Sequence, residues 1–237
     1  MKNTVIKIGG SLLFTEDKEI DKEKIHDFCQ IFKKVEHPGS NVIICGGGKI
    51  AREYINAVRS FQGSEALCDT FGIYMSRLNS KLLISSFQDF AYPLVPKSIE
   101  ELSTALLFGR IIVMGGLQPG QSTTSVALEV AEFIKAKELV ILTDVKGIYD
   151  KDPKRFDDAK LLKSLTYDKL QEIILNSSGD RQAAAGEYRI FDVVSLQILK
   201  RSNIKIIVMS GKNLKEFEKY WNGEKNITST IITNKNL

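Results

Sequence analysis

"VIICGGGKIARE", residues 42–53, carries an apolar, β-branched run into three glycines and from there straight into a helical pattern that begins at Lys49. A strand that ends in glycine and turns directly into a helix is half of an α/β unit. It leaves unpaired backbone N–H groups, backed by the helix dipole, facing any anion that approaches. The spacing fits neither GxxxxGK[ST] nor GxGxxG, so two familiar nucleotide fingerprints are absent while the physics behind them is retained. Helical side chains lean toward the helix N-terminus, which predicts that Arg52, in the first turn, reaches back over the glycines.

The same pattern repeats outward in both directions. Short β-branched runs occur at Thr4–Ile8, Asn41–Cys45, Arg110–Met114, Leu139–Thr143 and Lys205–Met209, each apolar on both faces, as strands covered on both sides must be. Helical periods fall between them at Asp21–Lys34, Lys49–Ser60, Ala66–Ser86, Ser98–Phe108, Thr123–Ala136, Tyr188–Arg201 and Asn213–Trp221. Alternating strands and helices predict an α/β fold around a buried parallel sheet. With no Pro- or Gly-rich linker and no repeat, residues 1–237 read as one domain, with two lobes sharing one sheet.

Composition narrows the function classes. With 43% hydrophobic and 26% charged residues, a chain of 237 residues buries roughly 70–75% of its unfolded surface. The net charge of +4 is spread along the chain with no polybasic block, so acidic small ligands fit and nucleic acid is not indicated. Cys29, Cys45 and Cys68 are odd in number and widely spaced, which suits reduced core thiols rather than a disulfide or a metal site. "VIKIGG" near the N-terminus is too short for a signal segment, and no run approaches a membrane span, so the expected location is cytoplasmic.

Three further segments follow strands, where open α/β sheets bind ligands. In "KIGGSLL" a cation, Lys7, stands beside the turn Gly9–Gly10–Ser11. In "MGGLQPGQSTTS" two glycines and Pro119–Gly120 lead to the hydroxyls of Ser122, Thr123 and Thr124 at a helix start. In "LTDVKGIYDKDP" the strand ends in Thr143–Asp144, and Tyr149, Asp150 and Asp152 follow as groups able to flank a nucleotide base or magnesium. An ordinary surface loop explains those aspartates equally well. The two histidines, His26 and His37, lie outside all four segments, so a serine or cysteine hydrolase lacks its base. Phosphoryl transfer depends on positioning and neutralising cations, and a phosphate acceptor needs no base.

Taken in order and spacing, "KIGGSLL", "GGGKIAR", "GGLQPGQST" and "LTDVKGIYDKDP" resemble the amino acid kinase family. From about Thr4 to Ile232 the chain is similar to its archaeal uridylate kinase branch, on the strength of "GIYMSRLNSKLL", "QDFAYPLVPKSIEEL" and "MGGLQPGQST". The resemblance implies a three-layer αβα sandwich with a central, mostly parallel sheet. It implies an acceptor lobe over about residues 1–135 and an ATP lobe over about residues 136–237. It implies transfer of the γ-phosphoryl of ATP to UMP with Mg2+, in pyrimidine nucleotide synthesis. Lys7 then matches the catalytic position, with Gly10, Ser11, Gly48, Arg52, Thr143, Asp144, Tyr149 and Asp152 on the ATP side. Gly47, Asp69 and the segment Leu117, Gln118, Pro119, Gly120, Gln121, Ser122 and Thr123 match the UMP side. The helix Ala66–Ser86 is similar to a dimer-interface helix, with Phe71, Met75, Leu78 and Leu82 on one face, in a branch that assembles as homohexamers.

Two positions depart from the family pattern. Relatives carry a second lysine where this chain has Gln197 in "FDVVSLQILK", and an aspartate that orients the lysines where Thr124 stands. Lys200, nearly one helical turn on, is a candidate replacement cation. A sibling kinase for an isoprenoid phosphate or an acyl group remains an alternative, although the isoprenoid branch uses a histidine near its glycine turn. So does a non-catalytic nucleotide-binding or storage protein on the same fold.

Overall fold

A computed structural model describes residues 3–35, 39–151, 153, 156–178 and 190–234. The strands are β1 (Thr4–Ile8), β2 (Asn41–Cys45), β3 (Ile112–Met114), β4 (Glu138–Thr143), β5 (Ser164–Thr166), β6 (Lys205–Ser210) and β7 (Ser229–Thr233). They form one sheet in the order β3-β2-β1-β4-β6-β7-β5, parallel throughout except for the antiparallel pair β6/β7. The helices are α1 (Lys22–Lys34), α2 (Gly48–Ser60), α3 (Glu65–Phe87), α4 (Ile99–Leu106), α5 (Thr123–Phe133), α6 (Tyr167–Ser178), α7 (Val193–Ser202) and α8 (Lys215–Trp221).

The strand alternation divides the core cleanly. Val5, Val42, Ile44, Ile112, Leu139 and Ile206 face a layer built from α4, α5, α6 and α7. Ile6, Ile8, Ile43, Val113, Val140 and Ile207 face the other layer, which holds α1, α8 and the C-terminal part of α3. The result is the three-layer sandwich, and it explains why these strands read as continuous apolar runs. On the second face Phe28, Phe32, Phe87, Phe217 and Trp221 form a ring cluster, with Phe28 and Phe217 stacked at 5.3 Å between centroids. The three cysteines are buried and free.

Several expected boundaries shift for local reasons. The helix expected over Thr123–Ala136 ends at Phe133, because Lys135 takes a left-handed φ of 55°. The one expected over Tyr188–Arg201 starts at Val193, where the extended Asp192 accepts from Ser195 N as an N-cap; Tyr188 itself lies outside the described residues. The run Arg110–Met114 contributes only Ile112–Met114 to the sheet, Ile111 instead bridging to Ala91. β5, α6 and β7 were not expected.

Sequence order reverses at β1: β2 and β3 extend to one side, and β4 continues on the other. A crevice opens beyond the C-terminal ends of strands at such a switch point, and the loops that leave β1, β2, β3 and β4 meet there.

Candidate functional site

The crevice is a cleft of about 210 Å³. Its floor is two glycine turns in backbone contact. Gly10 opens the short helical turn Gly10–Leu13 after β1, and a Cβ placed on it would stand 2.3 Å from Gly46 O and 2.4 Å from Gly48 N. Gly48 has φ +77°, and a Cβ there would stand 2.6 Å from the Gly10 carbonyl carbon. Only glycine at both places lets the β1 and β2 loops pack against each other. Gly47 precedes α2 and offers no side-chain cap, so the first N–H groups of that 13-residue helix are left for a ligand.

Arg52 leans back as its helix position requires: its Nη2 donates to Ser11 Oγ at 3.3 Å, bridging the two turns. Lys7 rises from β1 into the same space. Burial lowers its pKa from 10.5 to about 8, partly opposed by the nearby Asp144 carboxylate. Thr143 and Asp144 close the cleft at the end of β4, with Thr143 Oγ1 donating to Asp144 Oδ1 at 3.3 Å. Among the described residues, Lys7 and Arg52 are the cations that line it.

The opposite wall comes from α3, α5 and the loop after β3. Asp69 on α3 accepts from Gly120 N at 2.7 Å. Ser76 Oγ accepts from Gly116 N at 2.7 Å, and Arg77 donates to the carbonyls of Gly116 and Leu117 at 2.9 and 3.0 Å. Asn79, buried one turn further on, donates to the carbonyls of Gly46 and Gly47 at 2.8 and 3.2 Å. One helix thus holds the β2 and β3 loops in place. Ser76, Arg77 and Asn79 were missed in the sequence. Ser76, Asn79 and Ser80 at i, i+3 and i+4 mark a polar stripe that the fold buries, and that spacing was the available signal.

Of the expected site residues, Lys7, Gly10, Ser11, Gly47, Gly48, Arg52, Asp69, Gln121, Ser122, Thr123, Thr143 and Asp144 line this one cleft. Leu117, Gln118, Pro119, Gly120 and Tyr149 stand off its lining; Leu117 and Gly120 are tied to α3, and Tyr149 bridges to Leu161. Asp152 lies outside the described residues, as does His37. Thr124 does line the cleft, but its Oγ1 is engaged by donating to Ile190 O at 2.7 Å. Gln197 is exposed. Lys200, the candidate replacement cation, does not line the cleft: its Nζ is held by Asp168 Oδ1 at 3.1 Å and by Gln171, both on α6. His26 is exposed on α1, and burial raises the Cys29 and Cys45 thiols to about 11 and about 12, so neither cysteine is a nucleophile near neutral pH.

Glycine turns after successive strands, a half-buried lysine near the end of β1 and a cleft over β1/β4 have a counterpart among known proteins. Residues 2–210 match the model of the amino acid kinase family. The chain belongs to that family. A uridylate kinase of Methanobrevibacter smithii is 40% identical over 227 residues, covering 96% of this chain and 98% of that protein. One of Sulfolobus acidocaldarius is 37% identical, covering 96% and 97%. The crystal structure of uridylate kinase from Archaeoglobus fulgidus superposes with a TM-score of 0.79 at 34% identity, covering 98% of this chain and all of that one. UMP kinase from Ureaplasma parvum, at 19% identity and a TM-score of 0.79, shares the fold.

Proposed function

We infer that this chain is a UMP kinase, transferring the γ-phosphoryl of ATP to UMP to give UDP and ADP, a step toward CTP. The observation that carries the reading is the single cleft in which Lys7, Arg52, three glycine loops and two helix starts converge with no histidine or reactive thiol among its described lining residues. That is a site for anions and their transfer rather than for proton abstraction. The acceptor phosphate has its second pKa near ~6 and attacks as a dianion, so no general base is required. What the site must supply is neutralisation of charge on the moving phosphoryl group.

In this reading Lys7 touches the transferred group, and Gly10, Ser11, Gly48 and Arg52 hold the ATP phosphates. Thr143, Asp144, Tyr149 and Asp152 take the ATP nucleoside side. Gly47, Asp69 and the loop 117–123 take UMP. No group of three His, Cys, Asp or Glu side chains among the described residues could hold a metal ion by itself. Mg2+ needs only one or two protein oxygens when phosphates supply others, and Asp144 with Thr143 at the cleft edge fits that role. When bound, Mg2+ screens the phosphate charges. ADP release with ATP and each nucleoside monophosphate in turn tests the function; turnover of another acceptor with none of UMP overturns it.

Two outcomes follow from the same site. Arg52→Ala weakens nucleotide phosphate binding by about 1.5–3 kcal/mol, the range for a charged hydrogen bond, as titration calorimetry with ATP reads it. The pH profile of kcat/KM rises through about 6, as the UMP phosphate ionises. The value of kcat/KM for ATP falls above about 8, because Lys7 in the nucleotide-free enzyme loses its proton there. An ATP profile with no such fall up to pH 10 removes Lys7 as the cation that receives the nucleotide.

We propose also a homohexamer, a trimer of dimers. Tyr54, Phe61, Leu67, Tyr74 and Leu78 are exposed along α2 and α3 and in the turn between them, an apolar surface suited to a second copy. Light scattering reads the mass directly. No described helix is long and apolar enough to cross a membrane, and three buried free thiols suit the cytoplasm.

A further inference from the structure

Gln121 lies on the cleft wall, immediately before the Ser122 N-cap of α5. The two ends of its side-chain amide meet different surroundings. The Nε2 end donates to Glu129 Oε2, eight residues along on α5. A carboxylate only accepts, so it faces the nitrogen, and the amide is held in one of its two orientations. That turns Oε1 away from Glu129, where it is buried and has no hydrogen-bond partner among the described residues. A buried orphan acceptor is costly, and one on the wall of a binding cleft is accounted for by a ligand that brings the donor.

We propose that Gln121, oriented by Glu129, selects an acceptor base that carries a ring N–H: Oε1 accepts from N3–H of uracil and discriminates against cytosine, whose N3 is itself an acceptor. The proposal rests on the UMP kinase reading and names what enforces it. With cytosine the two acceptors oppose each other and both stay unpaired. The amide flip that would rescue the pair is barred, because it would set Oε1 against the Glu129 carboxylate. Selectivity then comes from the repulsive arrangement as much as from the hydrogen bond gained.

The rest of the wall fits this use. Asp69, on the same cleft, accepts from Gly120 N at 2.7 Å, and Arg77 donates to the carbonyls of Gly116 and Leu117, so the loop that carries Gln121 is fastened to α3 on the acceptor side.

The test is kcat/KM for UMP and for CMP, each with saturating ATP, in the wild type, Gln121→Leu and Glu129→Gln. Gln121→Leu lowers the value for UMP about tenfold or more and leaves that for CMP nearly unchanged. Glu129→Gln, which frees the amide to present either end, lowers the UMP/CMP ratio about tenfold and acts mainly through the two acceptor KM values. The KM for ATP and the melting temperature check that each variant is folded. If neither variant folds, N3-methyl-UMP with the wild type decides: about tenfold or greater loss against UMP supports the assignment, and equal turnover overturns it. Variants that keep the wild-type UMP/CMP ratio overturn the role of Gln121 alone. A wild type that turns over some other acceptor and no UMP overturns the functional reading beneath it.

Discussion

Lys7→Met lowers kcat/KM on the order of 10²–10³-fold without lowering the melting temperature at pH 7. The first half follows from position. Lys7 stands at the end of β1 between the glycine floor and Asp144, and Arg52 is the other described cation on the lining. Removing one preorganised charge from a site that works by electrostatic stabilisation costs about 2.7–4 kcal/mol of barrier. The second half follows from burial. The methionine side chain keeps the apolar stem and discards an ammonium whose pKa desolvation has lowered to about 8. The sign is fixed by linkage. Between about 8 and 10.5 the unfolded chain binds a proton that the folded one does not, so wild-type stability rises with pH across that window. The variant lacks this dependence, so its advantage is largest below pH 8 and closes toward 10.5. Calorimetric melting at pH 7 and pH 10 reads both values. A variant that is slow and also markedly less stable at pH 7 assigns Lys7 to packing instead.

The parts of this molecule that the sequence revealed share a physical reason, and so do the parts it hid. β1, β2, β4 and β6 are covered on both faces, which forces continuous apolar runs that cannot be mistaken for surface strands. β5 has three residues, the first exposed, too short for any period to register. α6 carries Tyr167, Leu170 and Ile174 on its buried face at helical spacing. The partners of Lys200, Asp168 and Gln171, stand on that helix, so the surroundings of Lys200 are legible only once α6 is placed beside α7. The reach of Arg52 was legible because side-chain lean is a property of any helix. The support from Arg77 and Asn79 was not, since a polar residue on a helix reads as solvent-facing until the neighbouring loops are placed against it.

Gly10→Ala has the second large effect, and three alanine variants together separate its cause. At Gly10 the obstacle is contact alone: φ is ordinary, but the added Cβ meets backbone atoms of Gly46 and Gly48 at 2.3 and 2.4 Å. Backbone on both sides cannot swing away as a flexible side chain would, so the loops must separate. At Gly109 the obstacle is conformation alone, with φ +64° and nothing within 4 Å. Gly48 combines both, at φ +77° with a Cβ 2.6 Å from Gly10 C. Gly109→Ala therefore costs about 1 kcal/mol, the penalty for a left-handed alanine. Gly10→Ala costs about 3 kcal/mol, the upper range for overpacking, which for a chain of this length lowers the melting temperature by roughly 6–12 °C. Gly48→Ala costs at least as much as Gly10→Ala. The double variant Gly10→Ala/Gly48→Ala costs less than the sum, because one parting of the loops relieves both contacts. Activity follows the contact and not the strain: Gly109→Ala retains wild-type kcat/KM, whereas Gly10→Ala loses most of it, since moving the floor shifts Ser11 away from Arg52 and the α2 start away from Lys7. Should Gly10→Ala melt and turn over like Gly109→Ala, the two glycine turns do not touch.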